Sequence, residues 1–187
     1  ENASPLWWEI DQEGTVNIHL VYDQERDSTN RANGHWLFQL EGQPGADITL
    51  TLGPFANVWN GKPSKTVPEA KIAFVSNDGV QWRPIDVEPL EPHRVKFNIH
   101  LDGPSLLVAR LPPYRLSDLE KFKADIAGQP NALITSIGRS IENRELEIVS
   151  IGNLDAPHHI LLRARAHPWE TGGNWIVEGL VRKLLRQ

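Results

Sequence analysis

The sequence predicts a mixed fold in which an antiparallel β-sandwich precedes the opening βα portion of an incomplete α/β domain. Two observations indicate the sandwich: short alternating runs of apolar and polar residues fill roughly the first 110 positions, and turn residues separate these runs. A third observation indicates the change of fold, because helical patterns replace the alternation after a pair of prolines. We therefore expect one domain over residues 1–112 and the beginning of another over residues 113–187.

Six segments of the first part alternate apolar and polar residues as half-buried strands do. They are residues 16–21, 35–40, 47–52, 71–75, 94–99 and 105–109. Turn-forming residues separate them, for example in Asn60-Gly61 and in Asn77-Asp78-Gly79. Short strands at this spacing, with no helical pattern between them, favour an antiparallel sandwich.

The second part begins at Pro112-Pro113, because consecutive prolines end a strand and form a short stiff linker. Ser117 and Glu120 match a capping box, which predicts a helix over roughly residues 118–127. Residues 132–137 and 145–151 are predicted to form a hairpin.

Two further elements are predicted near the end of the chain. Residues 159–165 contain the run Ile160-Leu161-Leu162, which predicts a more buried strand than the alternating ones. Thr171 is the predicted cap of a last helix that reaches Arg186 and carries an apolar stripe. That stripe needs another layer to cover it, so we expect residues 113–187 to be the opening of a domain.

Composition excludes several classes of function. The net charge of -5 argues against a nucleic-acid partner, and no apolar run approaches the ~20 residues that span a bilayer. The absence of cysteine removes thiolate chemistry, disulfides and cysteine-bound zinc. The sequence has no signal-peptide pattern, and we expect a soluble protein. The composition does not indicate the compartment in which it is found.

His167 and Glu170 are the candidate metal ligands, because they place an imidazole and a carboxylate three positions apart before the last predicted helix. Zinc is commonly held by histidine nitrogen and carboxylate oxygen, and a catalytic zinc takes three protein ligands plus water. The pair also follows the predicted strand at the end where α/β sheets place their sites. The alternative is a loop histidine followed by a glutamate that favours the positive end of a helix dipole.

Arg163 and Arg165 are candidate substrate-binding residues. In a strand both guanidinium groups would point to one side and could hold a carboxylate by forked hydrogen bonds. The alternative is that they only form the polar face of that strand. His158 and His159 are neighbours, and neighbours in an extended chain point to opposite faces, so we do not expect them to share a metal.

Four segments of the chain resemble the zinc carboxypeptidases, and specifically their cytosolic-carboxypeptidase-like branch. They are Gly34-His-Trp-Leu-Phe-Gln39, Asn77-Asp-Gly-Val-Gln-Trp82, Pro112-Pro-Tyr-Arg-Leu-Ser-Asp-Leu119 and Ala164-Arg-Ala-His-Pro-Trp-Glu-Thr171. In that branch the similar segments are an aromatic strand, an Asp-Gly-x-x-Trp hairpin, a Pro-Pro-Tyr-Thr-Tyr-Ser-Asp-Leu hinge and the zinc motif Arg-x-His-Pro-Gly-Glu-Thr. Trp169 stands where the zinc motif has glycine.

The resemblance implies a β-sandwich domain followed by the first part of an α/β carboxypeptidase domain. It implies that His167 and Glu170 are two of three zinc ligands in an enzyme that hydrolyses the C-terminal bond of a peptide or protein. In the family, the third ligand, the residues that bind the terminal carboxylate and the general base all follow the position matching Gln187. We therefore expect no catalytic residue within this chain, the remainder of the catalytic domain downstream, and an isolated chain that is inactive and binds zinc weakly or not at all.

Two other functions are compatible with the sequence. The first is a non-catalytic β-sandwich module for peptide or glycan, in which exposed tryptophans such as Trp7, Trp8 and Trp59 stack on the ligand while Trp36 and Trp82 lie in the core. Tryptophans clustered on one sheet face, with the His167 and Glu170 side chains diverging, would favour it. The second is a self-associating chain in which the apolar stripe of the last helix pairs with another copy.

Overall fold

The computed structural model describes residues 3–22, 28–64, 71–167 and 169–186. The chain divides into two compact units, one ending at Pro113 and the other beginning at Tyr114. Within the described residues the fold is mixed and β-rich, with two helices and four sheets. Neither of these helices combines the length and the apolar character of a membrane span.

The first unit consists almost entirely of short strands. Those in its described residues are β1 (Leu6–Ile10), β2 (Val16–Leu20), β3 (Arg31–Ala32), β4 (Leu37–Glu41), β5 (Asp47–Gly53), β6 (Asn57–Trp59), β7 (Lys62–Pro63), β8 (Ile72–Ser76), β9 (Arg83–Asp86), β10 (Glu88–Leu90), β11 (Arg94–His100) and β12 (Ser105–Ala109). They form a five-stranded sheet of order β1-β2-β5-β11-β10, a four-stranded sheet of order β4-β12-β8-β9, and a small sheet of order β3-β6-β7. The pairs are antiparallel except for β2 and β5, which run parallel.

The two larger sheets contribute side chains to a single hydrophobic core. Leu50, Leu52 and Val95 of the five-stranded sheet and Val75 and Val108 of the four-stranded sheet are at most 1% exposed and belong to one cluster. Burying an aliphatic side chain of this size contributes about 1.5–3 kcal/mol relative to leaving it exposed. The shared cluster therefore stabilises the first unit by burying side chains of both sheets together.

All six segments predicted as strands in this unit overlap observed strands. The sequence did not indicate β1, because Trp7 and Trp8 follow one another and mask the alternation. Trp36 lies in the core at 1% exposure, as predicted. Trp82, which was also predicted in the core, is half-buried and precedes β9, so that prediction was wrong.

The second unit combines two helices with a hairpin. Its elements are α1 (Leu116–Ile126), β13 (Ala132–Arg139), β14 (Glu145–Ile151) and α2 (Thr171–Leu184). Phe122 and Ile126 of α1 and Val181 of α2 form its buried cluster, against which Ile134 and Val149 of the hairpin pack. Part of the apolar stripe of α2 is thus covered within the unit, whereas Ile176 on the same helix is 72% exposed.

Both helices begin at different residues from those predicted. The N-cap of α1 is Arg115, whose backbone N–H donates to the Asp118 carboxylate at 2.7 Å, so Ser117 already lies inside the helix. The N-cap of α2 is Glu170, and Thr171 is the first helical residue. Arginine and glutamate are not among the residues preferred at an N-cap, so the usual residue preference did not indicate either helix start.

The prediction of a buried strand over residues 159–165 is wrong. The segment has no strand geometry, and the exposed fractions of Ile160 and Leu161 are 89% and 83%. A strand needs a neighbour that pairs with its backbone N–H and C=O groups, and no strand of the described residues pairs with this one. The apolar run alone was therefore insufficient to establish the α/β continuation expected after the hairpin.

Candidate metal centre

The two candidate ligands lie in the turn that leads into α2. Glu170 is the N-cap of the helix, and its backbone N–H donates to the carbonyl oxygen of His167 at 3.1 Å, which closes the turn. Pro168, which stands with Trp169 between them in the matched motif, lies outside the described residues. The turn brings the side chains of His167 and Glu170 to the same side.

The imidazole and the carboxylate face each other. The Nδ1 atom of His167 is 2.6 Å from Oε1 of Glu170. The other carboxylate oxygen, Oε2, accepts hydrogen bonds from the backbone N–H groups of His167 at 3.0 Å and Ala166 at 3.1 Å. One oxygen of Glu170 is thus fixed by the main chain, and the other is directed at a ring nitrogen.

The electrostatics of the turn favour an ionised carboxylate. The hydrogen bond from the His167 side chain, followed by that from the His167 backbone N–H, lowers the pKa of Glu170 below its ordinary value. Metal-binding carboxylates must be deprotonated, so the carboxylate is already in the form that a cation requires. Both side chains remain open to solvent, with exposed fractions of 58% for His167 and 42% for Glu170.

Trp169 restrains the imidazole from a second direction. Its ring stacks on that of His167 with a centroid separation of 5.3 Å and an interplanar angle of 9°. The matched family motif has glycine at this position, which could not make this contact. The sequence showed the substitution but not the stacking, because the contact depends on the geometry of the turn.

The donor set fits two positions of a zinc site. A histidine nitrogen and a carboxylate oxygen, here 2.6 Å apart, are donor types that zinc takes, and His167 and Glu170 would hold the ion between them. No group of three histidine, aspartate or glutamate side chains in the described residues is arranged to hold a metal. Within the described residues the pair therefore supplies one nitrogen and one oxygen donor, without a third.

The two candidate substrate-binding arginines are not equivalent. Arg163 is exposed. Arg165 is half-buried, and its Nη1 atom donates to the carbonyl oxygen of Tyr114 at 2.7 Å. Arg165 also has a backbone φ of 59°, which is incompatible with the regular alternation of a strand. The expectation that both guanidinium groups point to one side of a strand is therefore wrong, because this segment is not a strand.

The exposed tryptophans are distributed rather than clustered. Trp7, Trp8 and Trp59 are each more than half exposed, and Trp7 stacks on His19 with a centroid separation of 3.8 Å. Trp7 and Trp8 are consecutive residues of β1 and so project from opposite faces of their sheet. A binding module was expected to show tryptophans on one sheet face and diverging side chains at positions 167 and 170. Those two side chains converge.

Comparisons with known proteins identify the fold. No protein-family model matches the sequence, and no curated protein matches it significantly. A protein assigned as a carboxypeptidase A from Shewanella denitrificans is 20% identical and has a TM-score of 0.78, over 99% of this chain and 47% of that protein. A metallo-carboxypeptidase from Burkholderia cenocepacia is 18% identical with a TM-score of 0.75, over 99% of this chain and 47% of that one.

A third solved structure is a metallo-carboxypeptidase from Pseudomonas aeruginosa in complex with (2-guanidinoethylmercapto)succinic acid. It is 16% identical with a TM-score of 0.75, and the match covers all of this chain and 48% of that protein. At these identities the similarity establishes the fold. The chain therefore has a fold found in metallo-carboxypeptidases, and it spans slightly less than half of their length.

Proposed function

We propose that this chain is the N-terminal part of a zinc metallocarboxypeptidase, of the cytosolic-carboxypeptidase-like branch, that releases C-terminal residues from peptides or proteins. In this proposal residues 1–112 are a β-sandwich domain and residues 113–187 begin the α/β catalytic domain. The observation that supports the proposal best is the convergence of His167 Nδ1 and Glu170 Oε1 at 2.6 Å within a fold shared with metallo-carboxypeptidases. The four sequence segments that resemble the family support the same conclusion.

The residues of the turn have separate roles in this proposal. His167 provides Nδ1 and Glu170 provides Oε1 as zinc ligands, while the Ala166 and His167 backbone N–H groups hold the second carboxylate oxygen in place. A bound zinc ion polarises the scissile carbonyl and lowers the pKa of its water. Arg163, which is exposed, is the candidate for contact with the substrate carboxylate.

The remaining parts of the site would come from the segment that follows in a longer enzyme. A catalytic zinc needs a third protein ligand, and hydrolysis needs a general base. The described residues bring no third histidine or carboxylate to the pair. We therefore expect the 187-residue chain by itself to be inactive and to bind zinc weakly or not at all.

The proposal is tested with the protein encoded by the intact reading frame that contains this chain. Zinc-loaded protein should release the C-terminal residue of a peptide, and Glu170→Gln should lower kcat/KM at least ~100-fold because it removes the anionic ligand. Glu13→Gln is the matched control, since Glu13 is an exposed glutamate of the first unit. Peptidase activity that survives Glu170→Gln unchanged, or no release of C-terminal residues by the zinc-loaded protein, would overturn the proposal.

A further inference from the structure

The turn that carries the two candidate ligands is attached at both ends to the same residue. That residue is Tyr114, the first residue of the second unit, whose side chain is buried at 6% exposure. One attachment precedes the turn, at Arg165, and the other follows it, on the first turns of α2. The turn contains the hydrogen bonds that the Glu170 carboxylate accepts and the stacking of Trp169 on His167, and the two attachments restrain it from outside.

The first attachment is a hydrogen bond from Arg165 to the main chain. Its Nη1 atom donates to the carbonyl oxygen of Tyr114 at 2.7 Å, across 51 positions of sequence. The Arg165 backbone has a φ of 59°, a conformation that residues with a Cβ atom rarely adopt. Such a conformation persists only where surrounding contacts impose it, and the side-chain hydrogen bond is one of those contacts.

The second attachment joins Tyr114 to α2. The Tyr114 ring meets that of Trp175 edge to face at a centroid separation of 4.7 Å. The Tyr114 hydroxyl donates to Oε2 of Glu178 at 3.0 Å, and Oε1 of Glu178 accepts from Nε of Arg182 at 2.9 Å. The beginning of α2, and with it the N-cap Glu170, is thereby fixed relative to Tyr114.

The two chain segments that carry these attachments also pack closely against each other. A Cβ atom placed on Gly173, in the first turn of α2, would lie 3.4 Å from the Cβ of Ala164. The chain entering the ligand turn therefore lies directly against the helix that leaves it. With both ends held, few conformations remain for the intervening residues, including His167 and Glu170.

We propose that Arg165 and Tyr114 are positioning residues that hold the His167 imidazole and the Glu170 carboxylate together before a metal binds. The inference rests on the proposed function, since it assigns a purpose to the pair as metal ligands. Preorganisation of this kind lowers the cost of bringing two exposed side chains to one cation. Arg165 thus acts through the ligand turn rather than on the substrate.

The test is amide hydrogen exchange in the metal-free 187-residue chain. The N–H groups of Ala166 and His167 report the turn directly, because both donate to Oε2 of Glu170. Arg165→Gln should accelerate the exchange of these two amides about 10-fold, the factor expected from loss of one hydrogen bond to a charged group. Arg163→Gln makes the same change of charge two residues away and should leave both rates unchanged.

Two further variants keep the proposal testable if Arg165→Gln fails to fold. Tyr114→Phe retains the ring and the carbonyl oxygen but removes the hydrogen bond to Glu178, and it should accelerate the same two amides by a smaller factor. Arg165→Lys restores a donor toward the carbonyl oxygen of Tyr114 and should recover part of the protection. In each variant the amides of β13 and β14 should exchange at their original rates, which separates a local effect from a loss of stability.

The outcomes distinguish this inference from the proposed function. The positioning role would be overturned if the Ala166 and His167 amides exchanged as slowly in Arg165→Gln and Tyr114→Phe as in the Arg163→Gln control. This holds whatever metal the protein binds. Acceleration spread uniformly over the second unit would also overturn it. Because the exchange experiment contains neither metal nor peptide, acceleration confined to the turn would support the positioning role even if the peptidase assay gave no activity.

Discussion

Leu106 and Leu107 give a matched test of the core shared by the two larger sheets. They are consecutive residues of β12, and their side chains therefore project from opposite faces of the four-stranded sheet. Leu106 is 2% exposed and belongs to the cluster that contains residues of both sheets, whereas Leu107 is only half-buried and lies outside it. Truncation to alanine should thus lower the free energy of unfolding by different amounts at the two positions.

The magnitudes follow from burial. Leu106→Ala removes a fully buried side chain and leaves a cavity, which should lower the free energy of unfolding of the first unit by about 3 kcal/mol. Leu107→Ala removes a partly solvated side chain and leaves no enclosed cavity, so we expect a loss of about 1 kcal/mol.

Urea unfolding followed by the NMR amide signals of β5 and β11 would measure both losses. Those strands belong to the opposite sheet, so their signals in the folded protein should also shift in Leu106→Ala and stay unchanged in Leu107→Ala. Equal costs for the two variants, or a cost below ~1 kcal/mol for Leu106→Ala, would refute the reasoning that the two sheets enclose one core.

The remaining predictions concern α2 and the ligand turn. Gly179→Ala should raise the free energy of unfolding by about 1 kcal/mol, because Gly179 lies within α2 and an added Cβ would meet no described atom outside its own stretch of helix within 4 Å. Gly128→Ala should lower it by about 1 kcal/mol in the same urea assay, because Gly128 has a φ of +78°. The pKa of Glu170 is lowered in the folded chain, so its stabilisation of the turn is present above the unfolded pKa and is lost as the pH falls through the folded one. Amide exchange at Ala166 and His167, corrected for its intrinsic pH dependence, should therefore lose protection only as the pH falls below 4.5, the ordinary pKa of glutamate. Loss of that protection at neutral pH would contradict the conclusion that the ionised Glu170 carboxylate stabilises the turn.

Much of the first unit could be predicted from local sequence. In β11 buried and exposed residues alternate along nearly the whole strand, and such a period of two is visible without any knowledge of neighbours. β1 was not predictable in this way, because four of its five residues are exposed and its tryptophans are consecutive. Edge strands carry a weak pattern, since one neighbour and little burial constrain their residues.

The incorrect strand at residues 159–165 shows the limit of periodicity. Its apolar residues satisfy the local condition for a buried strand, but strand formation also requires a partner at the correct position. The side chains of Ile160 and Leu161 are exposed, so the hydrophobicity of this segment was not sufficient to give it a pairing partner. The local apolar pattern indicates only that a segment is compatible with a strand. Backbone pairing with a neighbouring strand is also required for the strand to form.

The candidate site was only partly predictable for a similar reason. The three-residue spacing of His167 and Glu170 indicated the candidate pair but not the turn that brings the two side chains together. The contacts that hold that turn were not predictable, because Tyr114 is separated by 51 positions from Arg165 and by 64 from Glu178. Contacts over such separations depend on the packing of the second unit, which no local pattern encodes.

The most direct test of the central claim is a zinc titration of the 187-residue chain followed by the imidazole ¹⁵N resonances of its seven histidines. If His167 and Glu170 are two ligands of an incomplete site, zinc should shift the Nδ1 resonance of His167 first and with weak affinity, and Glu170→Gln should remove the shift. A zinc-induced shift that appears first at another histidine, or tight stoichiometric zinc binding by this chain, would contradict the claim.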